Sequence, residues 1–227
     1  MAKKMTIDIY SDVMCPWCII GYSQLQKGLA ELKDEIEAEI RWLPFELNPD
    51  MPPEGEESVA HIARKYGRTP EQAKAGRDQM LGVGERAGYS FDYTGEGDPP
   101  PSMLRNTFAA HKLLKWALIE AGAEAQNRLK LALFDAHFQQ RRDVSDPEVL
   151  VDVAAEQGLD RAAARAAIDD ATLGAIVRQE EAQAFDMNIS GVPAMIVQGK
   201  YIIPGAQEPE VYVNALRRVA MKEAQAA

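Results

Sequence analysis

The sequence is poor in cysteine. Two Cys stand among 227 residues, too few for the disulfide framework of a small secreted domain but enough for one site. Histidine is nearly as scarce. His61, His111 and His137 are too far apart to form a ligand pair at metal-site spacing, so no metal centre is expected. Positive charge is in deficit: 25 Lys and Arg face 35 Asp and Glu, a formal net charge of −10. Such a surface repels phosphate backbones and anionic lipid, which argues against nucleic acid and membrane partners. No apolar run nears the ~18 residues of a membrane span. Lys3 and Lys4 imitate a signal-peptide start, but Asp8 and Asp12 break the apolar stretch that should follow. The tail Ala224-Gln225-Ala226-Ala227 carries no retention or lipidation signal. The expected location is cytoplasmic, where a close Cys pair is more often catalytic or metal-binding than structural.

What is present is a globular pattern. An apolar fraction of 46% with 26% charged residues leaves no room for wholesale disorder, and the length suits one or two domains. Met5 to Tyr10 alternates as a short strand. Pro16 to about Leu32 reads as a helix, with Pro at its first position and Leu25, Leu29 and Leu32 at helical spacing. Ile40 to Leu47 reads as a second strand, and Pro44 puts its end at an edge or bulge. From about Ser58 to Asn188 the patterns are helical. Leu104, Phe108, His111, Leu114 and Leu118 share one expected helix face, and Asn127 to Gln140 is apolar on more than one side. Ser145-Asp146-Pro147-Glu148 predicts a helix start and Gly158 its stop. Gly95 to Pro101 predicts a loop. Two strands, Ala194 to Gln198 and Tyr201 to Ile203, follow with a two-residue turn at Gly199-Lys200. Glu208 to about Lys222 closes the chain as a helix. The order β-α-β, helical block, β-β-α predicts an α/β fold whose sheet draws on both chain ends.

The chemistry concentrates in Cys15-Pro16-Trp17-Cys18. A Cys-x-x-Cys just past a strand and opening a helix reads as a redox pair. Residues i and i+3 share a helix face, near enough for a disulfide. Cys15 meets the unsatisfied N–H groups and the positive end of the helix, both of which favour a thiolate. Cys18, one turn in, is better covered and suited to resolving a mixed disulfide. Lowering a thiol pKa from ~8.5 to roughly 6 raises the neutral-pH thiolate about 30-fold but costs about 13-fold in nucleophilicity. The larger benefit is to the leaving group, which makes the disulfide more oxidising. Half of a zinc site, an inert core pair and a chance match remain as alternatives.

Taken with Ser190-Gly191-Val192-Pro193-Ala194, the run Ser11 to Cys18 resembles the DsbA-like branch of the thioredoxin superfamily, and more narrowly the cytosolic FrnE-type oxidoreductases. Pro44 to Met51, Asn106-Thr107 with Ala110 to Leu113, Leu133-Phe134 with Phe138, and Tyr201 to Gln207 extend the likeness over nearly the whole chain. The resemblance implies a thioredoxin fold, residues 1–52 and 188–227, interrupted by a large helical domain, 53–187. It implies a cis Val192-Pro193 bond facing the cysteines. It also implies disulfide exchange at Cys15, with Cys18 resolving, Pro16 and Trp17 tuning the site, and Val192 and Pro193 meeting substrate. The implied partner is a thiol- or disulfide-bearing protein or small molecule. No cofactor is implied beyond glutathione as a possible redox partner, and the chain would be a monomer or homodimer.

Two other readings compete. Kappa-class glutathione transferases and 2-hydroxychromene-2-carboxylate isomerases share the fold, but they carry Ser at the first catalytic position and Gly-x-Asp-Arg after the last strand. This chain has Cys15 and Gly205-Ala206-Gln207-Glu208. A peptide-binding or chaperone-like module with a redox or zinc switch is the other. Asp12 reads as a proton acceptor for Cys18 or as a turn residue, and His111 as a core histidine.

Overall fold

The computed structural model describes residues 2–225. Met1, Ala226 and Ala227, on which part of the targeting reading rests, lie outside the described residues. Strand β1 spans Lys3–Ser11, helix α1 Pro16–Glu31 and strand β2 Ile36–Pro44. A two-residue strand β3, Glu56–Glu57, leads into α2, Ser58–Tyr66, and α3, Pro70–Ala87. After β4, Met103–Leu104, come α4, Phe108–Phe138, α5, Pro147–Glu156, α6, Arg161–Asp169, and α7, Ala171–Asp186. Strands β5, Ala194–Val197, and β6, Tyr201–Pro204, and helix α8, Pro209–Gln225, complete the chain. No helix among the described residues is long and apolar enough to cross a membrane.

The main sheet has the order β2-β1-β5-β6. β1 runs parallel to β2 and antiparallel to β5, and β6 is antiparallel to β5. Strand alternation then sorts the side chains of β1. Ile7 and Ile9 join Met195, Val197 and the buried faces of α1 and α8, whereas Tyr10 joins Ala184, Ala194 and Ile196. Between them Asp8 sits directly across from Arg41 and is held in a two-pronged pair at 2.6 and 2.8 Å.

Several expectations are corrected. β2 starts at Ile36, not Ile40: Ile36, Ala38 and Ile40 alternate with exposed Glu37 and Glu39, and those charges hid the period of two. It ends at Pro44 because the next amides turn away, Glu46 N–H to Glu181 and Leu47 N–H to Asp12. Leu104 lies in β4, off the expected helix face, because α4 starts only after Asn106, whose side chain accepts Phe108 N–H. Gly122, at φ 82° and ψ 178°, breaks α4 between its two apolar stretches. The hairpin turn centres on Gln198-Gly199 rather than Gly199-Lys200. Both residues have positive φ, and Lys200 N–H closes on Val197 O, as a type I′ turn requires.

β2 is an edge strand, and the exposed backbone of such a strand needs cover. Gln126 of α4 supplies it. Its Oε1 accepts Trp42 N–H and its Nε2 donates to Trp42 O, at 2.8 and 2.9 Å. Asn127 accepts from the Trp42 indole N–H and donates to Tyr22 Oη, each at 2.9 Å. The helical segment is thereby tied to the sheet at the strand beside β1.

Candidate active site

The loop between β1 and α1 is pinned from both sides. Val13 and Met14 are buried with residues of α4, α5 and α6. Met14 Sδ accepts Arg105 N–H at 3.1 Å. Asp12 is fully buried and closes the turn: Oδ1 accepts Met14 N–H at 3.2 Å and Oδ2 accepts Leu47 N–H at 2.8 Å. Burial pushes its carboxyl above the ordinary carboxylate range, against the pull of those bonds and of Lys130. Of its two expected roles, the geometry supplies the turn.

Cys15 caps α1 in extended conformation, and Pro16 takes the first helical position. Cys18 N–H bonds Cys15 O at 3.1 Å, which sets the first turn. Both sulfurs are free thiols, both are buried, and Cys18 is the more covered. Trp17 between them is exposed. From the other end of the chain come Val192, half-buried, and Pro193, buried and joined by a cis bond. Cys15 Sγ stands 3.6 Å from Val192 O, and Pro193 O accepts Gly205 N–H at 2.8 Å. All six residues singled out from the sequence therefore lie in one neighbourhood, with Pro16 and Trp17 between the two sulfurs.

Burial and the hydrogen bond between the two thiols dominate their electrostatics. The thiol of Cys15 is held well above its ordinary value, first by its hydrogen bond to Cys18 and then by burial. Cys18 is drawn down: burial opposes its ionisation, but the hydrogen bond from Cys15, the charge of Lys130 and the Ser11 hydroxyl outweigh that. The two thiols share one proton-exchanging hydrogen bond, so their ionisation belongs to the pair, and the backbone group that meets Cys15 Sγ from the far end of the chain is the Val192 carbonyl.

Lys130 escaped the sequence reading. Its ammonium is fully buried without a hydrogen-bond partner among the described residues, 5.2 Å from the Trp42 ring centre and 4.8 Å from that of Phe134. Burial lowers it to about 8, while Cys18, Asp12 and Cys15 pull it upward. Its one sequence signal is a lysine inside an apolar helix, beside Leu129 and one turn from Phe134. His111 is a buried core histidine, and burial depresses it well below its ordinary value.

Past β2, a cavity of about 270 Å³ is lined by Phe45, Glu46, Pro49, Arg178, Glu181 and Phe185. A larger depression, about 650 Å³, opens beside Tyr22, Glu37, Glu39, Glu124 and Asn127 and is lined by neither cysteine. Among the described residues no three His, Cys, Asp or Glu converge as metal ligands.

Comparison with known proteins places this geometry. The pattern of the DSBA-like thioredoxin domain matches residues 6–217. YwbO of Bacillus subtilis (strain 168) is 27% identical over 211 residues, 92% of this chain and 94% of YwbO. The crystal structure of a probable DsbA oxidoreductase from Streptomyces coelicolor superposes with a TM-score of 0.82 at 31% identity, over 94% of this chain and 89% of that one. The cytosolic disulfide reductase DsbM of Pseudomonas aeruginosa, solved with GSH, shares the fold at a TM-score of 0.64 and 17% identity, over 95% of this chain and 99% of that one.

Proposed function

The chain belongs to the DSBA-like thioredoxin domain family, and from that membership we propose that it is a thiol–disulfide oxidoreductase working through Cys15 and Cys18. Its fold is the DsbA-like thioredoxin fold with a helical insertion. The observation that carries the proposal is the meeting of Cys15, at the cap of α1, with the Val192 carbonyl beside cis-Pro193.

In the proposed reaction a substrate thiolate attacks Cys15 Sγ of the oxidised pair. A mixed disulfide forms and Cys18 leaves as a thiolate. A second substrate thiolate then attacks the substrate sulfur, and Cys15 leaves. In reverse, Cys15 opens a substrate disulfide and Cys18 releases the product. Cys15 takes the exchanging role because Cys18 lies deeper. Pro16 starts the helix, exposed Trp17 offers a substrate contact, and Val192 presents backbone to an extended substrate segment. The division into 1–52 with 188–227 and 53–187, the FrnE-type assignment and the cytoplasmic location belong to the same proposal. Glutathione is the candidate small-molecule reductant, as a cytosolic relative was solved with GSH. The isomerase alternative is opposed by Cys15 and by Gln207-Glu208 where its Asp-Arg pair should stand.

The test is direct. Oxidised and dithiothreitol-reduced protein should differ by a reversible two daltons mapping to Cys15 and Cys18. A Cys18→Ala variant should accumulate mixed disulfides on Cys15. No two-dalton change, or no trapped species with protein and small-molecule disulfides alike, would refute the proposal.

A further inference from the structure

We propose that the open half of the β2 edge is a docking site for an extended, lysine- or arginine-rich segment of a partner protein, which adds to the sheet as a further strand. The inference goes beyond the exchange chemistry and does not depend on it.

Strand β2 borders the sheet, and Trp42 shows which way its free side faces. The N–H and C=O of Trp42 both point outward, because both bond to Gln126 of α4. β1 and β2 pair without a bulge, from Lys3 opposite Ile36 to Ser11 opposite Pro44, so backbone direction alternates strictly along β2. Ile40, Ala38 and Ile36 therefore turn their backbone groups the same way as Trp42. Ile36 N–H is taken up by Leu32 O at 2.8 Å. The N–H and C=O groups of Ala38 and Ile40 have no partner among the described residues. Cover stops at Trp42 because the second half of α4 begins only after the break at Gly122, about one turn before Gln126. Past that point the depression of about 650 Å³ opens along the edge, walled by Tyr22 and Gln26 of α1 and by Glu124 and Asn127 of α4. Two donors and two acceptors at strand spacing, in an open trough, match the backbone of an extended chain.

Charge selects the occupant. Alternation packs Ala38 and Ile40 against the core and leaves Glu37 and Glu39 exposed on the opposite face. Glu124 adds a third carboxylate to the lining, and Lys4, opposite Glu37 in the register, is the one cation among its described residues. Every second side chain of an added strand would stand beside Glu37 and Glu39, where cross-strand pairing favours Lys or Arg. The intervening side chains would meet Tyr22 and Asn127, which suit small polar residues. A second copy of β2 fits badly, because antiparallel pairing about this stretch lays Glu37 and Glu39 against their own counterparts.

The test uses the full chain, labelled with nitrogen-15, at physiological ionic strength. The probe is a capped peptide of about seven residues alternating lysine with threonine, long enough at ~3.3 Å per residue to run from Ile36 to Trp42. Without peptide, the amides of Ala38 and Ile40 should exchange with solvent faster than those of Glu37 and Glu39, which donate toward β1. With free peptide at about ten times its Kd, exchange at Ala38 and Ile40 should slow about tenfold. Glu37→Gln combined with Glu39→Gln should weaken binding about three- to tenfold. Glu96→Gln combined with Glu210→Gln removes the same charge from exposed positions outside the trough and should leave affinity unchanged. A peptide with glutamate in place of lysine should not bind. Any of four results overturns the inference: no binding of the lysine peptide, binding that leaves Ala38 and Ile40 exchange unaltered, equal weakening in the two double variants, or protection of the same amides by rising protein concentration alone. The first would mean that Glu37 and Glu39 serve only to keep the edge unpaired, and the last that a second copy is the occupant.

Discussion

Gly21 marks a place where α1 passes close to Pro193 and Ala206. A Cβ there would stand 3.0 Å from Pro193 Cγ and 3.3 Å from Ala206 Cα, and ring and backbone have little room to yield. Gly28, two turns on, allows a similar approach to α8, where a Cβ would meet Pro209 O at 3.1 Å. Gly21→Ala and Gly28→Ala should each lower stability by about 1–3 kcal/mol through overpacking, read from urea midpoints. Only Gly21→Ala should also slow disulfide exchange with glutathione, because it displaces the Val192-Pro193 segment, whose Val192 carbonyl meets Cys15 Sγ at 3.6 Å. Equal exchange rates in the two variants would show that the Pro193 segment does not set the reaction geometry. At this scale the sequence showed the cysteines clearly, because their chemistry sits in four consecutive residues between a strand and a helix. Lys130 was hidden because only the fold brings it against Trp42 and Phe134, in the cluster that also holds the cysteines.

At the level of elements, the loop leaving β2 shows how a strand end becomes part of a site. Leu47 N–H holds Asp12 and Glu46 N–H holds Glu181, while Asn106 reaches Glu46 Oε1 and Pro49 O. The Glu46 carboxylate pairs with Arg178. Burial raises its carboxyl to about 7; Arg178 pulls it down, and the neighbouring Glu181 charge adds to the rise. Between pH 4.5 and 7 the folded chain thus holds a proton that the unfolded chain has released, so stability falls as pH rises through that window. Glu46→Gln cannot titrate. Urea unfolding at pH 4.5 and 7.5 should show wild type losing about 1–2 kcal/mol more than the variant, a figure discounted for screening around half-exposed Arg178. Equal losses would mean that the carboxyl titrates normally. The sequence showed the break after β2 through its prolines, but not the ionic ties, because Arg178 and Glu181 come from α7. Element types were readable wherever caps and periods agreed: Asp146 caps α5 by accepting Glu148 N–H, as its motif predicts. Boundaries slipped where exposed charge broke the period, as at Glu37 and Glu39.

For the whole molecule the question is whether the helical segment is a separate unit. Composition changes near residues 52 and 188, but the apolar packing does not stop there. Phe134 and Phe138 of α4, with Ala87 and Phe91, share one cluster with Ile7, Ile9, Cys15, Cys18 and Tyr212. Phe134 sits edge-on to Trp42, 5.9 Å between ring centres, and lies stacked with Phe138 at 6.2 Å. Val13 and Met14 cross the other way, into the cluster of α4, α5 and α6. Neither part can unfold without exposing the other's core, so the oxidised chain should unfold in one step. Tryptophan fluorescence, which samples both parts through Trp17, Trp42 and Trp116, should superpose on far-UV circular dichroism across a urea titration. Phe134→Ala should move both curves together, at a cost of about 3–5 kcal/mol. Two resolved transitions, with only one displaced by that substitution, would show that the helical segment folds independently.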